Sequence, residues 1–460
     1  MGTFRKPPVR FWIGVMIFVG AFINYSTRIN ISISIVAMVK SAKKELIPEC
    51  IVDASVRAND SKLLADYGPR YHWSEEVQGN IIGSFYWGYT VGCLPSGIVA
   101  EWLGPTAVIF WFTLITAILN ALCVPAAALH YSALIALRAF IGLLGTFIYP
   151  SFQVLIAKWS PPLEKGKFTS ALLGNGLSSV INWPVLTSVT VHFGWDWGFY
   201  VVSMQLVVFC MIFWLVCADS PVKHPFISEA EVEYIKSCQA GKVGTKRRTA
   251  PYLRIISNTP FWVLVMGHTG SMWGLYVQMS TLPKYMSQVI GFDLKKTGAV
   301  AMLPQLSRVF VALTMGIIAD SLAKKGILSP MEIRKHFCFF SHFIPGILTI
   351  GISFFKCNVA AIVLVLIGLG LNGAAVVTTL LNSQDLSPNF AGTVFGFISF
   401  FGGVSGCMVP MVTGVCIRQH SGINEWGLAF YIGGTIYLFG GVIFMLFGTV
   451  DEQDWNKIPE

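Results

Sequence analysis

The chain has 460 residues, of which 54% are hydrophobic and only 12% are charged. Soluble globular proteins carry about 25% charged residues, so this composition excludes an ordinary soluble domain and predicts a membrane protein. The net charge of +9 at pH 7 could indicate a nucleic-acid partner, but the positions of the basic residues, described below, argue against one.

Twelve apolar stretches reach the length of about 20 residues that a transmembrane helix needs. The stretches are continuous, whereas a transmembrane β-barrel would show segments of alternating hydrophobicity. We therefore predict an all-α membrane protein. Its twelve transmembrane helices, called spans 1 to 12, lie at roughly 11–38, 79–101, 105–127, 131–156, 167–191, 197–217, 260–285, 297–321, 334–355, 358–381, 390–416 and 427–449.

Six spans, a polar stretch and six more spans indicate a duplicated architecture. The predicted parts are a first half at 1–217 with a large outer loop at 39–76, a cytoplasmic loop at 218–259, a second half at 260–450 and a tail at 451–460. With the N-terminus inside, 18 of the 32 Lys and Arg residues are cytoplasmic, 11 are in outer loops and three are within spans. The positive-inside rule then predicts that both termini are cytoplasmic, and it explains the basic residues without nucleic acid.

Two loop motifs predict local features. Ser228 to Glu231 matches a capping box, which predicts a short surface helix running toward Cys238. Asn59 begins an Asn-Asp-Ser glycosylation motif in the predicted outer loop. The ten cysteines show no disulfide or zinc spacing, so we expect neither a metal site nor a bound cofactor.

Three arginines, Arg28, Arg138 and Arg308, lie within predicted spans. A guanidinium at the centre of a bilayer costs about 2.5–3.5 kcal/mol even on lenient insertion scales, so it is retained where it faces a cavity or binds an anion. No carboxylate lies at comparable depth in the predicted spans. The pattern favours a pathway for a small anionic substrate.

The two halves share a short motif at equivalent positions. Span 2 ends with Gly97 and Glu101 in a Gly-x-x-Ala-acid sequence, and span 8 ends with Gly316 and Asp320 in the same sequence. The motif resembles the loop that follows the second helix in the major facilitator superfamily. That resemblance implies two six-helix halves that rock about a midplane site, with these four residues in gate loops.

Several longer phrases resemble one branch of that superfamily, the anion transporters that include sialin, the vesicular glutamate transporters and the sodium–phosphate cotransporters. The phrases cover nearly the whole chain and are Asn24 to Asn30, Gly83 to Tyr89, Tyr149-Pro150, Trp159 to Glu164, Asp219 to Pro225 and Asn382 to Pro388. The resemblance implies that Arg28 and Arg138 bind the substrate anion. The other substrate-binding candidates are Arg308, Tyr149, Gln153, Ser271 and Asn24.

Span 4 gathers part of this candidate site on one face. Arg138, Gly142, Gly145, Tyr149 and Gln153 recur at intervals near 3.6 residues, which places them on one side of a helix.

The chain departs from the organic-anion members of the family at four positions. Their helix 4 glutamate and histidine are replaced by Gly145 and Gln153, their helix 2 histidine by Ile82 and their helix 7 arginine by Ser271. These replacements remove the usual proton carriers and leave His268 as the only embedded histidine expected near the cavity. Arg308 is additional to the family pattern.

The coupling ion follows from electrostatics. Importing one negative charge against 100 mV costs about 2.3 kcal/mol, so a divalent phosphate needs at least two accompanying cations. Sodium can be held by neutral oxygens, and the coupling candidates are Asn24, Asn30, Ser178 and Asn372, with His268 as the candidate proton carrier. A cavity without acids favours sodium symport, or facilitated anion flux down the potential, over proton symport.

The predicted function is secondary active transport of a small anion by alternating access, with sodium-dependent phosphate cotransport as the first choice. A proton-coupled transporter of organic anions such as sialic acid or glutamate is the alternative. A receptor or scaffold is a third possibility that the short termini speak against, and no arrangement of catalytic residues indicates an enzyme. The absence of an acidic dileucine signal in either tail favours the plasma membrane over a vesicular or lysosomal one.

Overall fold

The computed structural model describes residues 7–39, 67–161, 168, 171–239, 251–355, 358–387, 390–418 and 423–456. These residues form helices joined by short connections, and the described chain has one isolated β-bridge, between Val39 and Tyr71. Eight of the described helices are long and apolar enough to cross a membrane, judged by length and composition.

Twelve long helical segments follow the predicted spans in chain order, and the names spans 1 to 12 are kept for them. Spans 2, 9 and 10 each consist of two helices, separated by a turn or a π-helical segment. The bounds are Val9–Met38; Glu75–Cys93 with Ser96–Trp102; Pro105–Leu129; Tyr131–Trp159; Gly174–Phe193; Trp195–Val216; Thr259–Tyr285; Leu294–Lys324; Pro330–Cys338 with Ile344–Ile352; Asn358–Asn372 with Leu381–Leu386; Ala391–Cys416; and Ile423–Phe447.

Helix starts follow local signals in the sequence. Proline occupies the first turn of spans 3, 7 and 9, where its missing N–H removes no intrahelical hydrogen bond. Span 9 begins with a complete capping box: the Glu332 N–H donates to Ser329 Oγ at 3.3 Å, and the Ser329 N–H donates to Glu332 Oε2 at 2.7 Å. These termini therefore need no long-range contact to be specified.

Within the described residues, the second group of six spans contains three π-helical turns. They are Met286–Ile290 after span 7, Phe339–Phe343 within span 9 and Val376–Leu380 within span 10. A π-helical turn widens the helix by one residue and changes which side chains face inward, and such turns are frequent at functional sites. Here they carry the buried polar residues His342, Thr378 and Thr379.

Contacts divide the chain into two units. Unit 1 comprises Met1–Arg28, Trp87–Ser179 and Phe199–Thr249, and unit 2 comprises Ile29–Tyr86, Val180–Gly198 and Ala250–Glu460. Both units contain parts of the first six spans, so the domain boundaries read from the sequence stay a prediction.

Two of the family-like phrases hold unit 1 together at the ends of its spans. The Asp219 carboxylate accepts from the Thr106 N–H at 3.0 Å and from the Thr106 hydroxyl at 2.6 Å, which caps the start of span 3. The Trp159 indole N–H donates to the Ala218 carbonyl at 2.9 Å. The phrases around Trp159 and Asp219 are therefore scaffold contacts.

The short helix predicted after span 6 is present at Glu229–Gln239, but its cap differs from the prediction. The Glu231 N–H donates to Ser228 Oγ at 3.3 Å, as in a capping box. The Glu231 carboxylate instead accepts from the backbone N–H groups of Val9 and Arg10, at 3.0 and 3.1 Å. Glu231 thus caps span 1, because the unpaired N–H groups at a helix start attract a carboxylate.

Unit 2 contains a cluster of charges where spans 2, 7 and 11 meet. Lys284 forms an ion pair with Glu75, which also accepts a hydrogen bond from Gln288 Nε2 at 3.0 Å. Arg418 pairs with the neighbouring Glu76 at 3.0 Å. These contacts join the start of span 2 to the ends of spans 7 and 11.

Candidate anion-binding site

Arg28 is held by aromatic rings in unit 1. Its guanidinium carbon lies 5.3 Å from the centre of the Tyr25 ring and 5.2 Å from the centre of the Tyr89 ring. Tyr25 lies one turn earlier on span 1, and Tyr89 belongs to span 2. The negative faces of two rings stabilise the cation by about 0.5–1 kcal/mol each at exposed sites and by more when desolvated, without neutralising its charge.

Arg138 is fixed to the same turn of span 1. Its side chain is fully buried, and Nη1 donates to the Thr27 carbonyl oxygen at 2.8 Å. Thr27 is the residue immediately before Arg28, and its hydroxyl donates to the Asn24 carbonyl at 2.8 Å. Unit 1 therefore brings Arg28, Arg138 and Asn24, three of the predicted substrate residues, to one turn of span 1.

The predicted stripe on span 4 becomes more exposed along its length. Gly142 and Gly145 are buried beside Arg138, Tyr149 is partly buried and Gln153 is exposed. Ser178 of span 5 pairs with Ser26 of span 1, with 3.3 Å between the hydroxyl oxygens. Substrate contact by Tyr149 and Gln153 and sodium binding by Ser178 stay predictions.

Unit 2 brings Arg308, Asn372 and Ser271 together. Arg308 Nε donates to Asn372 Oδ1 at 3.0 Å, while Asn372 Nδ2 donates to Ser271 Oγ at 3.0 Å and to the Tyr437 hydroxyl at 2.6 Å. The amide orientation follows from this arrangement, because a guanidinium offers donors alone and requires the amide oxygen. Since that oxygen faces a cation already, the contacts argue against Asn372 as a sodium ligand.

Tyr437 is the residue of this network that the sequence analysis missed. It is fully buried in span 12 and packs against Gly274 of span 7, where an added Cβ atom would lie 1.4 Å from the ring. The available signal was a tyrosine in a strongly apolar span, because a buried phenol hydroxyl needs a hydrogen-bond partner. A glycine opposite it provides the space for the ring.

The expectation that His268 is the only embedded histidine near the site is wrong, because His342 is also buried beside it. His342 Nε2 lies 2.8 Å from the carbonyl oxygen of Gly267, the residue before His268, and Nδ1 lies 2.7 Å from Ser341 Oγ. His268 Nδ1 lies 3.2 Å from Thr379 Oγ1. His342 and Thr379 lie in the π-helical turns of spans 9 and 10. Hydropathy placed both residues within spans, but it could not predict which side chains face inward.

Asn30 has a separate environment in unit 2. Its Oδ1 accepts from Ser34 Oγ at 3.1 Å, and it is fully buried. Asn30 and Asn372 therefore have different partners within the same unit, and the coupling role of Asn30 stays a prediction.

The gate-loop residues are described in part. Added Cβ atoms on Gly97 and Gly316 would meet no atom within 4 Å, and Asp320 is exposed at the end of span 8. Asn59 and the side chain of Glu101 lie outside the described residues. The gate roles and the glycosylation of Asn59 stay predictions.

Comparisons with known proteins identify the family of this chain. Residues 17–410 match the family model of the Major Facilitator Superfamily. The chain is 29% identical to Homo sapiens sialin over 97% of this chain and 90% of that protein. It is 30% identical to a Drosophila melanogaster protein named "Putative inorganic phosphate cotransporter", over 98% and 87% of the two chains. It is 28% identical to Bos taurus vesicular glutamate transporter 1, over 98% of this chain and 79% of that protein.

Solved structures share the fold at lower identity. A bacterial homologue of the human lysosomal transporter Spinster, in an inward-facing and occupied conformation, superposes with a TM-score of 0.65 at 14% identity, over 96% of this chain and 95% of that one. A D-xylose-proton symporter superposes with a TM-score of 0.65 at 13% identity, over 95% and 97%. At these low identities the superpositions show a shared fold and nothing further. It is the all-α fold of twelve transmembrane helices that the sequence predicted.

The matching family model and the full-length relatives agree with the twelve-span fold. The chain is a multi-pass membrane protein with the fold of secondary transporters, and it is not an enzyme. It belongs to the Major Facilitator Superfamily, in the anion-transporter branch of sialin, the phosphate cotransporters and the vesicular glutamate transporters.

Proposed function

We propose that the protein imports a small anion by alternating access and that its substrate is inorganic phosphate, cotransported with sodium. The observation that supports this proposal is that Arg28 and Arg138 meet at one turn of span 1. Arg28 belongs to that turn and contacts two aromatic rings, and Arg138 donates a hydrogen bond to the Thr27 carbonyl. Two positive charges at one turn favour a multiply charged oxyanion, because hydrogen bonds between a guanidinium and an anionic oxygen are among the strong ones.

Sodium is the proposed partner ion because of the charge balance. A divalent anion entering against 100 mV opposes the potential by about 4.6 kcal/mol, which two or more sodium ions would offset. The relative from Drosophila melanogaster that is named for inorganic phosphate supports this choice of substrate. The proposed sodium ligands are neutral oxygens, those of Asn24 and Ser178 in unit 1 and, separately, that of Asn30 in unit 2.

The test is uptake of labelled phosphate in oocytes that express the protein, with sodium replaced by choline. Arg28→Ala should abolish sodium-dependent uptake, whereas Arg254→Ala, which removes an exposed arginine outside the spans, should leave it intact. Surface biotinylation of each variant separates lost activity from lost expression and also tests the proposed location in the plasma membrane. Wild-type protein at the surface without phosphate uptake in either medium would contradict the proposal.

A proton-coupled organic-anion transporter is the second candidate, and the histidine pair of unit 2 favours it. The Gly267 carbonyl can only accept, so neutral His342 carries its proton on Nε2 and accepts from Ser341 at Nδ1. A second proton on Nδ1 would reverse the Ser341 hydroxyl toward Thr378 Oγ1, 3.0 Å away. The network can therefore hold either protonation state without moving a heavy atom.

The groups around this pair include no carboxylate among the described residues. Span 9 contributes Cys338, whose Sγ lies 3.8 Å from His342 Nδ1, and span 12 contributes Tyr437, whose ring centre lies 6.1 Å away. If this candidate is correct, uptake of labelled sialate should rise at acidic outside pH and be lost in His268→Gln and His342→Gln. His336→Gln, at the exposed start of span 9, is the control.

A further inference from the structure

One hydrogen bond, from Nε, orients the Arg308 guanidinium and leaves the edge formed by Nη1 and Nη2 available to a ligand. Nε is bonded to Asn372 Oδ1, while Nη1 and Nη2 make no hydrogen bond to any described residue. The side chain is only partly buried, so it is not closed off from a ligand. Two adjacent Nη donors with a fixed plane have the geometry for end-on binding of two oxygens of one anion.

Asn372 is held in place by two other spans. Its Nδ2 donates to Ser271 on span 7 and to Tyr437 on span 12, so both ends of the amide are engaged. Asn372 and Tyr437 are both fully buried. The amide cannot rotate without losing a bond to a guanidinium and leaving buried donors unpaired, which would cost about 1–3 kcal/mol.

The backbones of spans 8 and 10 approach closely at the same point. A Cβ atom on Gly373 would lie 2.5 Å from the Arg308 carbonyl oxygen. Any larger residue there would separate the two spans and move Arg308 away from Asn372. Spans 7, 8, 10 and 12 therefore all contribute to fixing this guanidinium.

Two further buried amides extend the polar surface. Gln278 is 1% exposed, and neither its Oε1 nor its Nε2 has a partner among the described residues; Gln305 Nε2 is in the same condition. Gln305 lies three residues before Arg308 and Gln278 lies seven after Ser271, so each shares the helix face of that residue. Buried amide groups without partners are costly unless a ligand or water satisfies them.

We propose that unit 2 contains its own anion subsite, in which Arg308 binds a compact oxyanion end-on and Asn372, held by Ser271 and Tyr437, is the positioning residue. The subsite takes two oxygens of one group, either a phosphate or a carboxylate. This inference rests on the proposed function in one respect, that the chain transports an anion. It assigns Asn372 a role in orienting a substrate ligand and gives Tyr437 a role that the resemblance does not.

The test measures anion binding and uptake in Asn372→Asp and Tyr437→Phe. Asn372→Asp keeps the shape but places a carboxylate against the guanidinium, so the apparent Kd and KM should rise about tenfold or more while the maximal rate changes little. Tyr437→Phe removes one acceptor of the Asn372 amide and should raise KM about two- to fivefold. Asn372→Gln, which keeps the amide on a longer chain, should recover part of the affinity that Asn372→Asp loses.

Asn120→Asp is the matched control for simple destabilisation. Asn120 is also fully buried, and its amide donates to the Phe199 carbonyl and to Ser203 Oγ, with no hydrogen bond to an arginine of the described residues. Binding is measured as the rise in Tm of purified protein with inorganic phosphate, sialate and glutamate as separate probes. An equal loss of affinity in Asn120→Asp and Asn372→Asp would overturn the inference.

The probes separate this inference from the proposed function. If phosphate has no effect on the wild type but sialate or glutamate does, the phosphate proposal fails, and the subsite stands if Asn372→Asp weakens the effective anion. If phosphate is effective and both variants keep its affinity within about twofold, the subsite is wrong and the phosphate proposal stands. If none of the three anions stabilises or enters through the wild type, both are wrong.

Discussion

The guanidiniums of unit 1 and unit 2 are held in different ways. Arg28 rests between Tyr25 and Tyr89, and Arg138 bonds to the Thr27 carbonyl, so short pieces of spans 1, 2 and 4 suffice. Arg308 is held by an amide that is itself fixed by two more spans. The contacts of Arg28 with the two rings depend on distance to a ring face, whereas the Asn372 bond fixes Arg308 through Nε.

The comparison indicates a difference in tolerance. A ring face attracts a cation over a broad range of positions, so we expect Arg28 to tolerate anions of different size. A hydrogen bond depends steeply on angle, so Arg308 has one orientation. We therefore expect unit 1 to supply attraction for the anion and unit 2 to supply discrimination between anions.

The largest expected effect is the loss of Arg28. Arg28→Ala removes the charge and should lower the ratio of maximal uptake rate to KM by about 100-fold, because charge-assisted hydrogen bonds contribute about 1.5–3 kcal/mol each. Uptake of the transported anion, normalised to surface protein, is the measurement. Retention of more than about a third of the wild-type ratio would break the assignment of unit 1 as the source of attraction.

Lysine substitutions sharpen the comparison between the two units. Arg28→Lys keeps a cation near the rings and should reduce affinity about threefold, while Arg308→Lys loses the planar fork and should reduce it about tenfold. The measurement is the apparent Kd for the anion from the shift in Tm. Equal losses in the two variants would show that both units bind by charge alone.

A smaller effect is expected from the ring above Arg28. Tyr89→Leu removes the ring and should raise KM about two- to fivefold, corresponding to about 0.5–1 kcal/mol, whereas Tyr89→Phe keeps the ring face and should stay close to wild type. A loss in Tyr89→Phe as large as in Tyr89→Leu would point to the hydroxyl, and the ring contact would then not explain how Arg28 is held.

The smallest effect concerns Ser178. Ser178→Ala removes the hydroxyl partner of Ser26 and should change the KM for the anion by less than about twofold, because Ser178 is proposed as a ligand of sodium and not of the anion. If Ser178 is a sodium ligand, the sodium concentration for half-maximal uptake should rise while the KM for the anion does not. An unchanged sodium dependence would remove Ser178 from the coupling candidates.

Much of the architecture could be read from local patterns. The twelve spans and the helix after span 6 were predicted because hydrophobic length and capping residues act within one segment. The twelve helices begin or end a few residues from the predicted limits, for example at Val9 and at Leu386. The turn that carries Arg28 was also predictable, because its residues are contiguous in the chain.

Other features required the folded chain. The ion pair of Glu75 with Lys284 joins residues 209 positions apart, and Glu231 caps span 1 from 222 positions away. The burial of His342 depends on a π-helical turn that no hydrophobic period reveals. None of these contacts has a signature within a single segment.

The sequence by itself determined that this protein is a twelve-span transporter of the anion branch with three arginines in its spans, because spans and family phrases are local and contiguous. Only the tertiary structure decided that Arg308, Asn372, Ser271 and Tyr437 form one network. The physical reason is that hydrophobic burial places a helix in the membrane but does not set its rotation or its neighbours. Those depend on which side chains pack and hydrogen-bond across spans.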